Sequence, residues 1–156
     1  MAAKGVPAGV GVVTPYLCIS NAAKAIEFYQ RVFDTKETMR FVEPGSGRIG
    51  HAELAVGNGT IMLSDEYPEM GFHGPSKDTR PPVSIHLYVA DVDDVYKRAL
   101  AAGATSQREP ENQFYGDRAA QIRDPWGHSW FLATRIEDVS GEEMQRRFDN
   151  FAKQKS

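Results

Sequence analysis

Thr14-Pro15-Tyr16-Leu17-Cys18-Ile19, closed by Asn21, and Ser84 to Val89, closed by Asp91, are two copies of one pattern set 70 residues apart. In the first copy Leu17 and Ile19 share one face, while Thr14, Tyr16 and Cys18 share the other, the alternation of a strand with one aliphatic side. Asn21 stands where a helix N-cap belongs, and Ala22, Ala25, Ile26, Tyr29, Val32 and Phe33 then recur at steps of three and four. That stripe predicts an amphipathic helix ending near Asp34. Glu37 to Val42, Ile49 to Val56 and Thr60 to Ser64 read as three further strands, punctuated by Pro44-Gly45-Ser46-Gly47 and Gly57-Asn58-Gly59. The first half therefore reads βαβββ.

The same shift of 70 carries Leu17 onto Leu87, Ile19 onto Val89, Arg48 onto Arg118, Gly57 onto Gly127 and Met62 onto Leu132. Behind the Asp91 cap, Val92, Val95, Tyr96, Ala99 and Leu100 form a second helical stripe, stopped by Gly103. Strands follow around Thr105 to Arg108, Ala119 to Arg123 and Ser129 to Thr134, with Asp124-Pro125-Trp126-Gly127 as a turn. The periodicity predicts an internally duplicated α+β domain over residues 1–156, with units at 12–65 and 83–135 and a Pro/Gly-rich linker at 66–82. A Ser140-Gly141-Glu142-Glu143 capping box opens a C-terminal helix at 140–153. Its Met144, Phe148 and Phe151 share one face, to be packed either on the same subunit or across a dimer.

Composition removes several classes of function. With 156 residues, 41% hydrophobic and 25% charged, the chain can hold one folded core without a disulfide. The single cysteine and the lack of a charged segment leading into an apolar one at the N-terminus point to a reducing, cytoplasmic setting. No stretch is long and apolar enough to suggest a membrane span. Eighteen Lys and Arg against 21 Asp and Glu give a net charge of −3, which supplies no basic field for nucleic acid. Neither a Gly-x-Ser-x-Gly elbow, a P-loop nor a dinucleotide fingerprint occurs.

The two βαβββ units, together with Ala25-Ile26-Glu27-Phe28-Tyr29, Val89-Ala90-Asp91-Val92-Asp93, Ala101-Ala102-Gly103-Ala104 and Asp124-Pro125-Trp126-Gly127-His128, resemble the vicinal oxygen chelate superfamily. That superfamily holds glyoxalase I, extradiol dioxygenases, and fosfomycin- and bleomycin-resistance proteins. Phe114-Tyr115-Gly116-Asp117-Arg118 followed by Arg123-Asp124-Pro125 is similar to its PhnB-like subgroup. The resemblance implies a glyoxalase/bleomycin-resistance-like fold, a curved mixed sheet around a cavity, and a homodimer. It also implies four metal-ligand positions, which fall here on Thr14, Ser84, Ile61 and Phe131. None of these side chains is the imidazole or carboxylate that holds a divalent metal.

With Leu17, Ile19, Leu87, Val89 and Leu132 turned toward the helices, Tyr16, Cys18, His86, Tyr88, Ser129 and Phe131 are left facing the cavity. Apolar walls with a few placed polar groups are the make-up of a small-molecule site. The expected ligand-binding residues are Tyr16, His86, Tyr88, Phe131 and Ser129, with Phe114 and Tyr115 from the Glu109–Asp117 loop as lid, rim or core filling. Arg48 and Arg118 are expected to play a structural role, such as bridging strands or pairing with Asp117 or Glu53. His51 and Glu53 alternate on one strand, whereas His73 and His128 are expected to be solvated. A catalytic Cys18 would need a basic neighbour, and the sequence places none beside it. These readings predict metal-independent binding or sequestration of a small aromatic or amphipathic molecule, with no catalytic residue and no cofactor. The alternative is a glyoxalase-type lyase, isomerase or dioxygenase that holds zinc, nickel, manganese or iron through a non-standard set including His86.

Overall fold

A computed structural model describes residues 5–156 and resolves them into two units, residues 5–82 with Trp126–His128 and residues 83–125 with 129–156. The part of the N-terminal reading that rests on residues 1–4 lies outside the described residues. Unit 1 runs β1 (Tyr16–Ile19), α1 (Ala22–Phe33), β2 (Lys36–Val42), β3 (Ile49–Val56) and β4 (Gly59–Asp65). Unit 2 repeats the order as β5 (Ser84–Tyr88), α2 (Val92–Ala101), β6 (Thr105–Asn112), β7 (Asp117–Arg123) and β8 (Ser129–Arg135), and α3 (Gly141–Gln154) follows. Each unit folds its strands into a four-stranded mixed sheet, ordered β1-β4-β3-β2 and β5-β8-β7-β6. The first strand of each lies parallel to the last, and the remaining pairs are antiparallel. The architecture is the α+β duplication expected.

The apolar stripes explain the packing. Ala22, Ala25, Ile26, Tyr29 and Val32 of α1 are buried with Leu17, Ile19, Leu54 and Leu63 of sheet 1. In unit 2, Val92, Val95 and Ala99 of α2 are buried with Ala120, Ile122, Trp130 and Leu132. Each large aliphatic side chain removed from water this way contributes about 1.5–3 kcal/mol. Trp130 also satisfies its indole N–H on Asp124 Oδ2 at 2.9 Å.

Both helices are pinned at the N-terminus by the strand that ends beside them. Asp65, at the end of β4, accepts from Ala22 N through Oδ1 at 2.8 Å and from Ile49 N through Oδ2 at 2.6 Å. Thr134, near the end of β8, accepts from Val92 N and donates to Val89 O, each at 2.9 Å. Asn21 caps α1 from a left-handed conformation that asparagine tolerates, and Asp91 caps α2 from an extended one.

Register corrects the repeat. Tyr16 pairs with Met62 but His86 with Phe131, so the offset of 70 on β1 and β5 becomes 69 on β4 and β8. Glu53 stands opposite Met62, and Gln121 opposite Phe131, which makes it 68 on β3 and β7. The β6–β7 turn (113–116) is shorter than the β2–β3 turn (43–48), and the repeat slips there. Met62 therefore corresponds to Phe131, and Ile61 to the buried Trp130. Arg48 and Arg118 are not equivalent either. Arg48 pairs with Glu43 and Glu69 and covers the Tyr67 ring at 4.1 Å, while Arg118 pairs with Asp93 at 2.6 Å; neither meets Asp117 or Glu53.

Two other expectations change. Residues 109–112 extend β6 instead of opening a loop, because Pro110 falls at a register shift on an edge strand, where its missing N–H is harmless. His128 is half-buried, and its Nε2 donates to Cys18 O at 2.9 Å. Beside it, Trp126 meets Phe28 and Tyr29 edge-on. Helix α3 meets its own unit with the expected face, Phe148 and Phe151 both contacting the Phe114 ring, although none of its residues is fully buried.

Two measurements follow from this packing. Asp65→Ala strips two buried N–H groups of their acceptor and is expected to cost about 2–3 kcal/mol in urea unfolding, against about 1 kcal/mol for Thr134→Val. Equal and negligible losses would show that the strand-end anchors carry no weight. Burial, reinforced by Glu66 and Asp65, pushes the Cys18 thiol up to about 11. Alkylation of the folded protein near neutral pH is then expected to be at least ~100-fold slower than in urea, since only the thiolate reacts. Comparable rates would overturn that environment.

Candidate functional site

Strand alternation gives each sheet one face under its helix and one open face. On sheet 2 the open face carries His86 and Tyr88 from β5, Phe131 and Arg135 from β8, and Asp117 and Gln121 from β7. His86 and Tyr88, two residues apart, stack with centroids 4.9 Å apart, and Phe131 tilts against His86 at the same distance. These three rings make the wall of a groove of about 360 Å³ that Tyr115, Asp117, Arg135 and Met144 complete.

The polar end of the groove is a linked set. Tyr88 donates to Asp117 Oδ2 at 2.9 Å, and this bond, with burial behind it, holds the phenol above its ordinary range. Asp117 Oδ1 lies 3.1 Å from Arg135 Nε, and the carboxylate is only 2% exposed. Arg135 is oriented in turn by the Tyr115 carbonyl, which accepts from Nη1 at 2.9 Å. Gly116 makes that turn possible. Its φ is +92°, and a Cβ there would collide with the Glu137 carbonyl. Tyr115 stands edge-on to Phe114, and burial raises its phenol as well.

The other expected residues are placed elsewhere. Ser129 is buried on the same face, where it accepts from Ser84 at 3.2 Å and from Gln121 at 3.1 Å, so it supports the sheet rather than lining the groove. Phe114 lies in a separate depression with Met144 and Phe148. Tyr16 belongs to unit 1, in a groove of about 400 Å³ with Gly50, Ser64, Tyr67, Met70 and Phe72. There its hydroxyl meets His51, and His51 meets Glu53. The sequence reading did not place Asp117, Arg135 or Met144 in this groove. Alternation from Phe131 could have found Arg135, but the pairing of β7 with β8 brings Asp117 to it.

The side chains at the four ligand positions implied by the resemblance do not form a metal set. Thr14 donates to the Gly11 carbonyl, Ser84 to Ser129, Ile61 faces the core, and Phe131 lines the groove. Replacing Ile61 by its register equivalent Met62 supplies a thioether, a poor ligand for a hard divalent ion. Among the described residues no three His, Cys, Asp or Glu side chains are grouped to hold a metal. None of the described helices is long and apolar enough to cross a membrane.

Comparison with known proteins agrees with this architecture. The chain is 40% identical over 136 residues to the uncharacterized protein Rv0887c of Mycobacterium tuberculosis, covering 85% of this chain and 79% of that one. Among solved structures it is similar to TioX from Micromonospora sp. ML1, with 25% identity, a TM-score of 0.59, and coverage of 81% and 99% of the two chains. A PhnB protein from Bacillus cereus superposes with a TM-score of 0.64 at 17% identity, over 80% of this chain and 99% of that one. Residues 10–132, from just before β1 into β8, match the sequence profile of one family, and the chain belongs to the glyoxalase/bleomycin resistance protein/dioxygenase superfamily.

Proposed function

We propose that the chain binds a small planar, amphipathic molecule on the open face of sheet 2, without a metal, and holds it unchanged. The observation that carries this reading is the row of rings formed by His86, Tyr88 and Phe131 along a groove of about 360 Å³. Aromatic faces bury a flat ligand at little entropic cost, because few rotors have to be frozen. Tyr88, Asp117 and Arg135 occupy one another, which leaves the His86 imidazole and the Tyr115 hydroxyl to turn toward a ligand. An imidazole between two rings, beside a carboxylate already shared by a phenol and a guanidinium, is a hydrogen-bonding set rather than a ligating one. The same reading carries the homodimer implied by the resemblance and the cytoplasmic setting suggested by the single cysteine.

The test is a thermal-shift screen of planar amphipathic compounds, followed by titration of a hit against variants. His86→Ala and Tyr88→Ala are each expected to weaken binding more than tenfold, about 1.4 kcal/mol. Unchanged affinity in both removes this pocket from the reading. Elemental analysis of protein purified without chelator is expected to find no stoichiometric divalent metal. Near one equivalent per subunit, lost in His86→Ala, would replace the binding protein by a metal-dependent lyase, isomerase or dioxygenase.

A further inference from the structure

Three side chains on the open face of sheet 1 form a hydrogen-bonded line that core packing does not require. Glu53 Oε1 lies 3.1 Å from His51 Nε2, and His51 Nδ1 lies 3.0 Å from the Tyr16 hydroxyl. An ionised carboxylate has no proton to give, so Nε2 of the neutral ring carries the hydrogen and donates it to Glu53. Nδ1 is then bare, and the Tyr16 hydroxyl donates to it. Register holds the line in place, with Tyr16 opposite Met62, Met62 opposite Glu53, and Phe41 opposite His51. Phe41 and Tyr16 flank the imidazole with centroids at 6.1 and 5.6 Å, while Phe72 stands edge-on to Tyr16. Glu53 is the carboxylate that meets His51, and the rings around it are uncharged.

Exposure falls along the line as a proton acceptor with a buried counter-charge would need. The side chains of His51 and Glu53 are 23% and 18% exposed, whereas Tyr16 is 45% exposed at the groove it shares with Tyr67, Met70 and Phe72. With its own hydrogen directed at His51, Tyr16 turns only lone pairs to that groove. Among the described residues no charged side chain lines it. A ligand that hydrogen-bonds Tyr16 there must bring a donor, and the lining offers a charge no counter-ion.

We propose that this groove is a second site, an acid–base one, which receives a neutral planar molecule through one weakly acidic O–H or N–H group. The ligand's proton passes to the Tyr16 oxygen, the Tyr16 proton passes along the existing bond to His51 Nδ1, and the imidazolium formed lies against the Glu53 carboxylate. No bond other than these proton bonds is made or broken. The ligand becomes an anion that accepts a hydrogen bond from Tyr16. A base oriented by a carboxylate and acting on a hydroxyl is the general logic of an activated oxygen, here with a phenol as the oxygen. This site does not depend on the pocket of unit 2.

The probe is para-nitrophenol, whose anion is coloured, mixed with the full-length protein at a pH where the free dye is mostly neutral. The anion absorbance is expected to rise saturably with protein, the bound dye ionising as though its pKa had fallen by about one unit or more, a tenfold shift. Tyr16→Phe removes the acceptor and should abolish the rise, and Glu53→Gln should reduce it several-fold. Ring-nitrogen NMR of the wild-type protein, which needs no variant to fold, should show His51 protonated at Nε2 alone when free and at both nitrogens with the dye bound. Absence of an anion excess, an excess unchanged in both variants, or an Nδ1 proton in the free protein would each overturn the proposal. A rise removed by His86→Ala would place the dye in the pocket of unit 2 and overturn it equally.

Discussion

One polar side chain at the end of the last strand governs each unit. Asp65 and Thr134 do the same work with different chemistry, each accepting from the first N–H of the helix that precedes the sheet's hairpins. The first strand and the last are then parallel neighbours, although dozens of residues separate them. Loop closure over that distance is entropically costly, and a buried anchor at the junction offsets part of that cost. Once it closes, alternation leaves no choice about faces. Aliphatic residues lie beneath the helix, and the imidazoles and phenols are left on the open side.

Much of this could be read from the chain. The caps at Asn21, Asp91 and Ser140 accept the backbone N–H groups that their positions predict. The stripe of α1 is buried as its spacing requires, and Ile49–Val56 is a strand over the predicted span. These features are local, and a few residues of context decide them. The meeting of Tyr16 with His51 and of Tyr88 with Asp117 lies across 35 and 29 residues, through a sheet order the sequence does not print. The register slip has the same origin. Strand matching by residue type tolerates a shift of one or two, but such a shift exchanges the open-face Met62 for the buried Ile61.

Duplication has given the two units one frame and different contents. Tyr16 and His86 occupy the same register position, yet in unit 1 the tyrosine is on the edge strand and the histidine on β3. In unit 2 the histidine takes the edge-strand position, and Ala119 stands where β3 has His51. A histidine beside a carboxylate is directed by it, whereas one stacked between rings is not. The first arrangement suits moving a proton, and the second suits covering a flat surface.

Charge decides less than the composition suggests. Arg48, Arg118, Arg135 and Arg147 each meet a carboxylate, at distances between 2.6 and 3.1 Å. Most of these pairs are partly exposed, where solvent screens the attraction and an ion pair adds little stability. What they do is orient, as Arg135 does when it joins Asp117 to the Tyr115 turn. With the guanidinium groups engaged in this way, neither groove presents an unpaired arginine to a ligand. On the two readings proposed above, selection comes from ring area and from the direction of a few hydrogen bonds, which Asp117 orients in one unit and Glu53 in the other.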